Sequence, residues 1–508
     1  MSKVMLRKIM LGALCAIFAA CMALCCVFAM APASNVAAEG SGEGSSSGAE
    51  DELIVYEGST FYDWASMKAY IESLHAGDEE TIIVGADMTA DDLIGIPDGV
   101  KITLTSPTND AADRRTIKRS DTYHEVCIRV GDEASGGELA TLILRDIVIE
   151  GNGETTQQFD DLSFLWYTDQ SYGEMYDGVY LRYHDIRSGS RGGAIYLDAS
   201  QSAASKFVMH GGYIGENHSN LRNENCGAVA ILRYVAGEVS NPATFIVEGG
   251  SVSENNGHDG YGAGFSVTGK LIVNGGKFFN NVAGYDTVMY SDLNAEYEIN
   301  GGEFAYNEAK VSTSITALYG SMTIRNAVFH HNRASDVDVL FHTARHARSV
   351  EDSVLTIESA IIYDNYSTNP DNKYVGLFDG GCGGHIIIND CEVYNNDLGA
   401  GQLFLLRPWS YTTGQPISLE INGGEFYENT CTDALFHVRN RMDPGDNEGS
   451  KASSVEVTVN GGTFRDNIIL GGNGGVIYLE SGTLTVNGGE FLDNELQSGN
   501  GGGIYLSG

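Results

Sequence analysis

Residues 271–281 read LIVNGGKFFNN and residues 297–307 read YEINGGEFAYN, the same phrase written twice with 26 positions between Asn281 and Asn307. Each copy holds an apolar stretch, a Gly-Gly pair, an apolar residue two positions on, and an Asn three further. Read outward in both directions, the phrase occurs ten times, ending at Asn217, Asn255, Asn281, Asn307, Asn332, Asn365, Asn396, Asn429, Asn467 and Asn494. The steps are 38, 26, 26, 25, 33, 31, 33, 38 and 27 residues, a base period near 26 stretched by insertions. A fixed period of this length marks a stacked repeat architecture.

Within one copy, alternation such as Leu484, Val486 followed by Gly488-Gly489 and Phe491 describes two short strands joined at a bend. Glycine supplies backbone angles there that a side chain forbids. After nearly every Asn comes a third apolar run marked by an aromatic: Tyr196, Phe265, Tyr290, Tyr319, Phe341, Phe378, Phe404, Phe436, Tyr478 and Tyr505. The residue before it is usually apolar too, and neighbours on a strand face opposite ways. The sequence therefore leaves open which of the two columns points inward. Three strands per coil, with coils stacked about 4.8 Å apart, predict an all-β parallel β-helix solenoid. The recurring Asn falls at a corner where an amide both donates and accepts, so stacked asparagines are expected to form a ladder. The Asn holds in all ten copies. Gly-Gly fails at Asn326-Ala327, Ser359-Ala360 and Asp390-Cys391, which makes the ladder the stricter constraint.

Gly192-Gly193-Ala194-Ile195, Gly474-Gly475-Val476-Ile477 and Phe491-Leu492-Asp493-Asn494 resemble the GGAI and FxxN repeats of the chlamydial polymorphic membrane proteins. More broadly, the chain is similar to bacterial adhesin-like proteins of the pectate-lyase-type right-handed β-helix fold. The resemblance covers roughly residues 190–508 and implies a surface-displayed adhesive passenger. It departs from the family in showing no carboxy-terminal membrane barrel.

The ends carry separate messages. Lys3, Arg7 and Lys8 precede an apolar stretch from Ile9 to Ala31 and small-residue sites near Ala33 and Ala38, so residues 1–38 read as an export signal or signal anchor. Residues 39–52 have nothing to bury and read as a flexible linker. The chain stops at GGGIYLSG, part-way through a coil, which predicts further coils in the natural protein. A formal charge of −38, from 68 acidic and 30 basic residues, repels nucleic acid and anionic lipid. Membrane contact is thus expected only through the amino-terminal segment or an anchor outside this sequence. Outside the signal, Cys127, Cys226, Cys382, Cys391 and Cys431 are too sparse for a disulfide framework. Cys382 and Cys391 are near enough in sequence to pair, or lie on separate strands. No Cys/His spacing matches a zinc site and no cofactor motif occurs, so neither metal nor cofactor is expected.

Residues 53–153 are expected to supply a capping helix over 59–76 and the first coils. Residues 154–190 read as an aromatic-rich insertion, in which Trp166, Tyr167, Tyr172 and Tyr176 are candidate ligand contacts. Trp409 and Tyr411 form a second such pair. Aromatic faces stack on sugar rings, and Tyr adds a hydrogen-bonding hydroxyl. The bland alternative is that these rings pack against the solenoid. Excursions at 199–206, 234–243, 343–353, 407–417 and 440–454 all follow the aromatic strand and emerge at one corner, a usual place for recognition. His330, His331, Arg333, His342, Arg345, His346 and Arg348 form a basic cluster unusual in so acidic a chain, and Asp379 shows no obvious carboxylate partner. The reading that follows is a secreted or cell-surface adhesin-like β-helix binding glycans or proteins. The alternative is a carbohydrate-active β-helix enzyme, which needs paired carboxylates with a nearby Arg or Lys.

Overall fold

The computed structural model describes residues 52–507, apart from 133–136, 152–161, 186–192, 220–226, 237–238, 292–293, 336–337, 347–348, 350, 409–413 and 440–451. The export signal, most of the linker, Cys226, Arg348, Trp409 and Tyr411 lie outside the described residues. The main strands of each coil visit three faces in turn and pair in parallel with their counterparts in the coils before and after, and some coils add a short strand after the ladder Asn, from Val282–Tyr285 to Tyr366–Ser367 and from Thr430–Cys431 to Glu495–Leu496. The first face is a sheet of 15 strands from Ser59–Phe61 to Thr483–Val486, and the second has 14 from Met88–Ala90 to Glu490–Leu492. The third consists of two seven-stranded sheets, from Ile94–Ile96 to Met289–Ser291 and from Thr316–Leu318 to Ile504–Leu506. The chain is a parallel β-helix.

The interior is a stack of like side chains. On the second face Phe278, Phe304 and Phe329 are buried, with ring centroids 4.4 and 4.8 Å apart. The third face resolves the aromatic column left open by the sequence, because that column is two. Phe265 shares its register position with Ile195, Val229 and Met289, and Phe341, Phe378, Phe404 and Phe436 share theirs with Ile477, all facing the core. Tyr196, Tyr290, Tyr478 and Tyr505 occupy the neighbouring, outward position. Phenylalanine can be buried without a partner, whereas tyrosine turned outward keeps its hydroxyl near solvent.

Each repeat corner is closed by an amide. Each ladder Asn from Asn217 to Asn467 donates its side-chain N–H to the Oδ1 of the next, at 2.7–3.0 Å over nine successive steps ending at Asn494. That same Oδ1 also accepts the backbone N–H of the preceding ladder Asn, as Asn332 Oδ1 does from Asn307 at 3.1 Å. Asn217 through Asn467 are at most 1% exposed. The residue before each ladder Asn has positive φ, including Glu216 (55°), Tyr306 (57°), Asp364 (55°) and Glu428 (55°). Left-handed backbone at a residue with a Cβ costs about 1–2 kcal/mol. The three to six hydrogen bonds of each ladder Asn hold that conformation in place. Glycine has a different duty one corner earlier: a Cβ on Gly275 or Gly301 would lie 2.7 Å from the carbonyl oxygen of Glu248 or Asn274 in the coil before.

The amino-terminal end is sealed as expected, with changed boundaries. Ser59–Phe61 is a strand, and the helix runs Trp64–Ile71 with Asp63 as its N-cap, accepting from the Ser66 backbone N–H. Trp64, Met67 and Ile71 enter the core beside the first strands of the three faces. Residues 162–185 correct a second expectation. They are no insertion, since Leu165–Tyr167, Ser171–Met175 and Tyr180–Arg182 form an ordinary coil in register with its neighbours. The sequence hid this because Gly173 occupies an inward position where the pattern calls for a large apolar residue. The long excursions do open at one corner, between the third and first faces, and one holds the antiparallel hairpin Arg233–Ala236/Val239–Pro242. Cys382 and Cys391 are both buried, and no disulfide joins them to each other.

Candidate functional site

The candidate aromatics of residues 166–176 do not form one site. Tyr167 is wholly buried, its ring 5.3 Å from Phe207 in the space that the absent Cβ of Gly173 leaves. It is a core residue, which corrects its assignment as a ligand contact. Trp166 lies on the outside of the third face, half-buried against Tyr196 at 6.2 Å. Tyr172 and Tyr176 leave from the first face and donate to the two oxygens of Glu174, at 2.6 and 2.7 Å. The Tyr176 ring is also covered, by the Arg145 guanidinium at 3.7 Å and the His210 ring at 4.6 Å. Among the described residues, the rings expected to stack on sugars are therefore already engaged.

A better candidate surface runs along the outside of the second face. His330, Tyr363, Tyr394 and Tyr427 occupy one outward register column on four successive coils, followed by Arg465. Their centroids are 4.9, 5.1 and 5.0 Å apart with interplanar angles of 7°, 4° and 6°, and the Arg465 guanidinium lies 4.1 Å over Tyr427. Burial and a hydrogen bond to Glu392 push the Tyr427 hydroxyl up to about 12. Rings stacked along the axis spend their faces on one another and offer edges and hydroxyls to solvent. The parallel outward column is Glu303, Val328, Ile361, Glu392 and Glu425, with Ile361 39% exposed.

Beside these columns is a groove of about 560 Å³ lined by Asn326, Ser359, Ile361, Asp390, Glu392 and Glu425. It lies on the three consecutive coils that have lost the Gly-Gly pair. Side chains there occupy the corner that glycine leaves bare elsewhere, and Ser359 Oγ bridges to both the backbone N–H and the side-chain oxygen of Asn326. The signal was present in the sequence as a failed motif, yet its meaning depended on the three failures being adjacent in space.

The basic cluster disperses. His330 and His331 face Glu303 and Asp364 on the second face, and Arg345 pairs with Asp352 at the loop corner. His342 points elsewhere, into a buried polar group on the third face. It is the centre of Phe341–Thr343 and pairs in register with Asp379, while Arg407 follows directly on the next strand, Gln402–Leu406. Arg407 donates through Nε and Nη2 to Asp379 Oδ2, at 2.8 and 2.6 Å. His342 Nδ1 lies 3.3 Å from Asp338 Oδ2 and 3.7 Å from Asp379 Oδ2. Asp379 thus has the carboxylate neighbour, Asp338, that the sequence did not show. Outward positions are normally wet, but here exposure is 0% for both aspartates, 2% for His342 and 3% for Arg407. Tyr374, from the loop before the Asp379 strand, lies over Arg407 with its ring centroid 5.7 Å away.

Burial raises Asp338 to about 7, helped by the negative charge of Asp379. Burial acts on Asp379 in the same sense, but Arg407 and His342 outweigh it and hold that carboxyl well below its usual range. Burial opposes a charged His342, yet the two carboxylates outweigh it and lift the imidazole to about 9. No protein-family model, curated protein or solved structure matches the chain.

Proposed function

We propose that this chain is an exported, surface-displayed adhesin-like β-helix that binds a neutral glycan lying along the second face. The observation that carries the reading is the outward column His330–Tyr363–Tyr394–Tyr427 beside the groove of the three glycine-poor coils. Hydroxyl, amide and carboxylate groups spaced one coil apart suit a polyhydroxylated chain, and exposed Ile361 offers apolar contact to its ring carbons. The groove carries Asp390, Glu392 and Glu425, and the whole chain carries −38, which disfavours uronate-rich or sulfated chains. The basic and apolar residues 3–31 support export.

The test is an array of neutral and anionic polysaccharides probed with the intact chain, with the bound sugars then assayed for new reducing ends or unsaturated products. Binding confined to neutral chains, without turnover, and weakened at least about tenfold in Tyr363→Ala/Tyr394→Ala, is the expected result. Wild-type binding by that variant removes the stripe from consideration, and cleavage favours the carbohydrate-active alternative.

A further inference from the structure

We propose that Asp338, His342 and Asp379 form a binding site for one divalent cation of the zinc class, enclosed between the third face and its covering loops. Their ligand atoms lie within 4.8 Å of one another, on a buried patch where the fold otherwise places solvent-facing positions. Zinc held at about 2.0–2.2 Å from nitrogen and oxygen needs donors roughly 3.3–3.6 Å apart. The 3.3 Å separation of His342 Nδ1 from Asp338 Oδ2 meets that requirement, and the 3.7 Å separation from Asp379 Oδ2 lies just beyond it. A mixed imidazole and carboxylate set favours a transition-class ion over calcium or magnesium, which prefer oxygen alone.

The unsatisfied oxygens of these buried carboxylates point to a ligand, although Asp338 already lies 3.3 Å from His342 Nδ1 and 3.7 Å from Arg407 Nη2. Both oxygens of Asp338 lack a hydrogen bond although the residue is 0% exposed, and Asp379 Oδ1 lacks one as well. Buried carboxylate oxygens are ordinarily satisfied. Arg407 serves as a positioning residue, fixing the Asp379 carboxylate through Oδ2. The spacing rules that gave no metal expectation look for ligands close in sequence, whereas these come from neighbouring coils.

The experiment strips the full chain with chelator, restores Zn²⁺, and measures uptake by equilibrium dialysis with elemental analysis. Uptake of one ion per chain at micromolar zinc is expected, with an X-ray absorption spectrum showing one imidazole nitrogen and otherwise oxygen ligands. Asp338→Asn, which keeps shape and leaves the Arg407–Asp379 pair intact, should weaken binding at least about tenfold. No uptake by the wild-type chain, a spectrum with two or more imidazoles, or affinity unchanged in Asp338→Asn overturns the proposal. The last two outcomes assign the ion to surface histidines. The spectrum is read on the wild-type chain, so the proposal stays falsifiable even where a variant misfolds.

Discussion

Asn332→Ala isolates the ladder from the rest of the repeat. In the intact chain Asn332 Nδ2 donates to Phe304 O at 2.9 Å and to Asn365 Oδ1 at 3.0 Å. Its Oδ1 accepts from the Asn307 backbone N–H at 3.1 Å and from Asn307 Nδ2 at 2.9 Å. Truncation leaves the Asn307 N–H and the Phe304 carbonyl without these side-chain partners in a corner where Asn332 itself is 0% exposed. The Asn307 and Asn365 side chains keep other bonds. Each buried orphan costs about 1–3 kcal/mol, so the pair costs about 2–6 kcal/mol. Repeats touch only their neighbours, so the loss concentrates in the coils from Asn307 to Asn365 and a single global unfolding energy is the wrong readout. Native-state hydrogen exchange is the right one, and exchange of the Asn307 amide should quicken by well over tenfold, since about 1.4 kcal/mol is one decade. Asn422→Ala is the control: it belongs to a second, exposed row in which Asn422 Nδ2 donates to Asn389 Oδ1 at 2.9 Å. An exposed change of that kind costs within about 0.5 kcal/mol. Equal protection in the two variants would refute the reasoning, because the ladder would then contribute nothing beyond surface hydrogen bonds.

Two further outcomes follow from buried groups. In chelator, thermal stability should decline as pH rises from about 6.5 through 9. The folded His342 value of about 9 exceeds its usual 6.5, so its contribution is full below the unfolded value and lost as the imidazole deprotonates. Asp338, raised to about 7, acts in the same sense from lower pH, whereas depressed Asp379 loses its contribution only on acidification. A melting series on wild type and His342→Gln checks this, and a flat or rising wild-type profile over that window contradicts it. Separately, the Tyr167 hydroxyl is buried with no hydrogen-bond partner, so Tyr167→Phe should stabilise by about 1 kcal/mol. Tyr167→Ala should cost about 3–5 kcal/mol, and Trp166→Ala much less. Chemical denaturation orders the three, and a Phe variant weaker than wild type removes the orphan-hydroxyl argument.

The solenoid was legible because its constraint recurs within each copy. One amide per coil, an apolar residue three positions before it and a bend before that are local requirements, so Asn217 to Asn494 read directly as a stack. The glycine-poor corners at Asn326, Ser359 and Asp390 were legible as exceptions, but only stacking made them one groove. Register between unequal coils was not legible. A shift of one residue along a strand exchanges inward for outward, and this placed Phe265 inside and Tyr290 outside although the sequence aligned them. Tyr167 went into the core for a similar reason, since the room it occupies is made by Gly173 on another face. The Asp338–His342–Asp379–Arg407 group depends on register throughout. Asp379 and Arg407 are 28 residues apart in sequence, and they meet because the intervening coil returns the chain to the same face. What the sequence determined by itself was the unit and its stacking, which are set by local pattern. What the tertiary structure decided was the juxtaposition of side chains across coils, because the lengths of the insertions and the pairing of the strands, rather than any local preference, set which residues become neighbours.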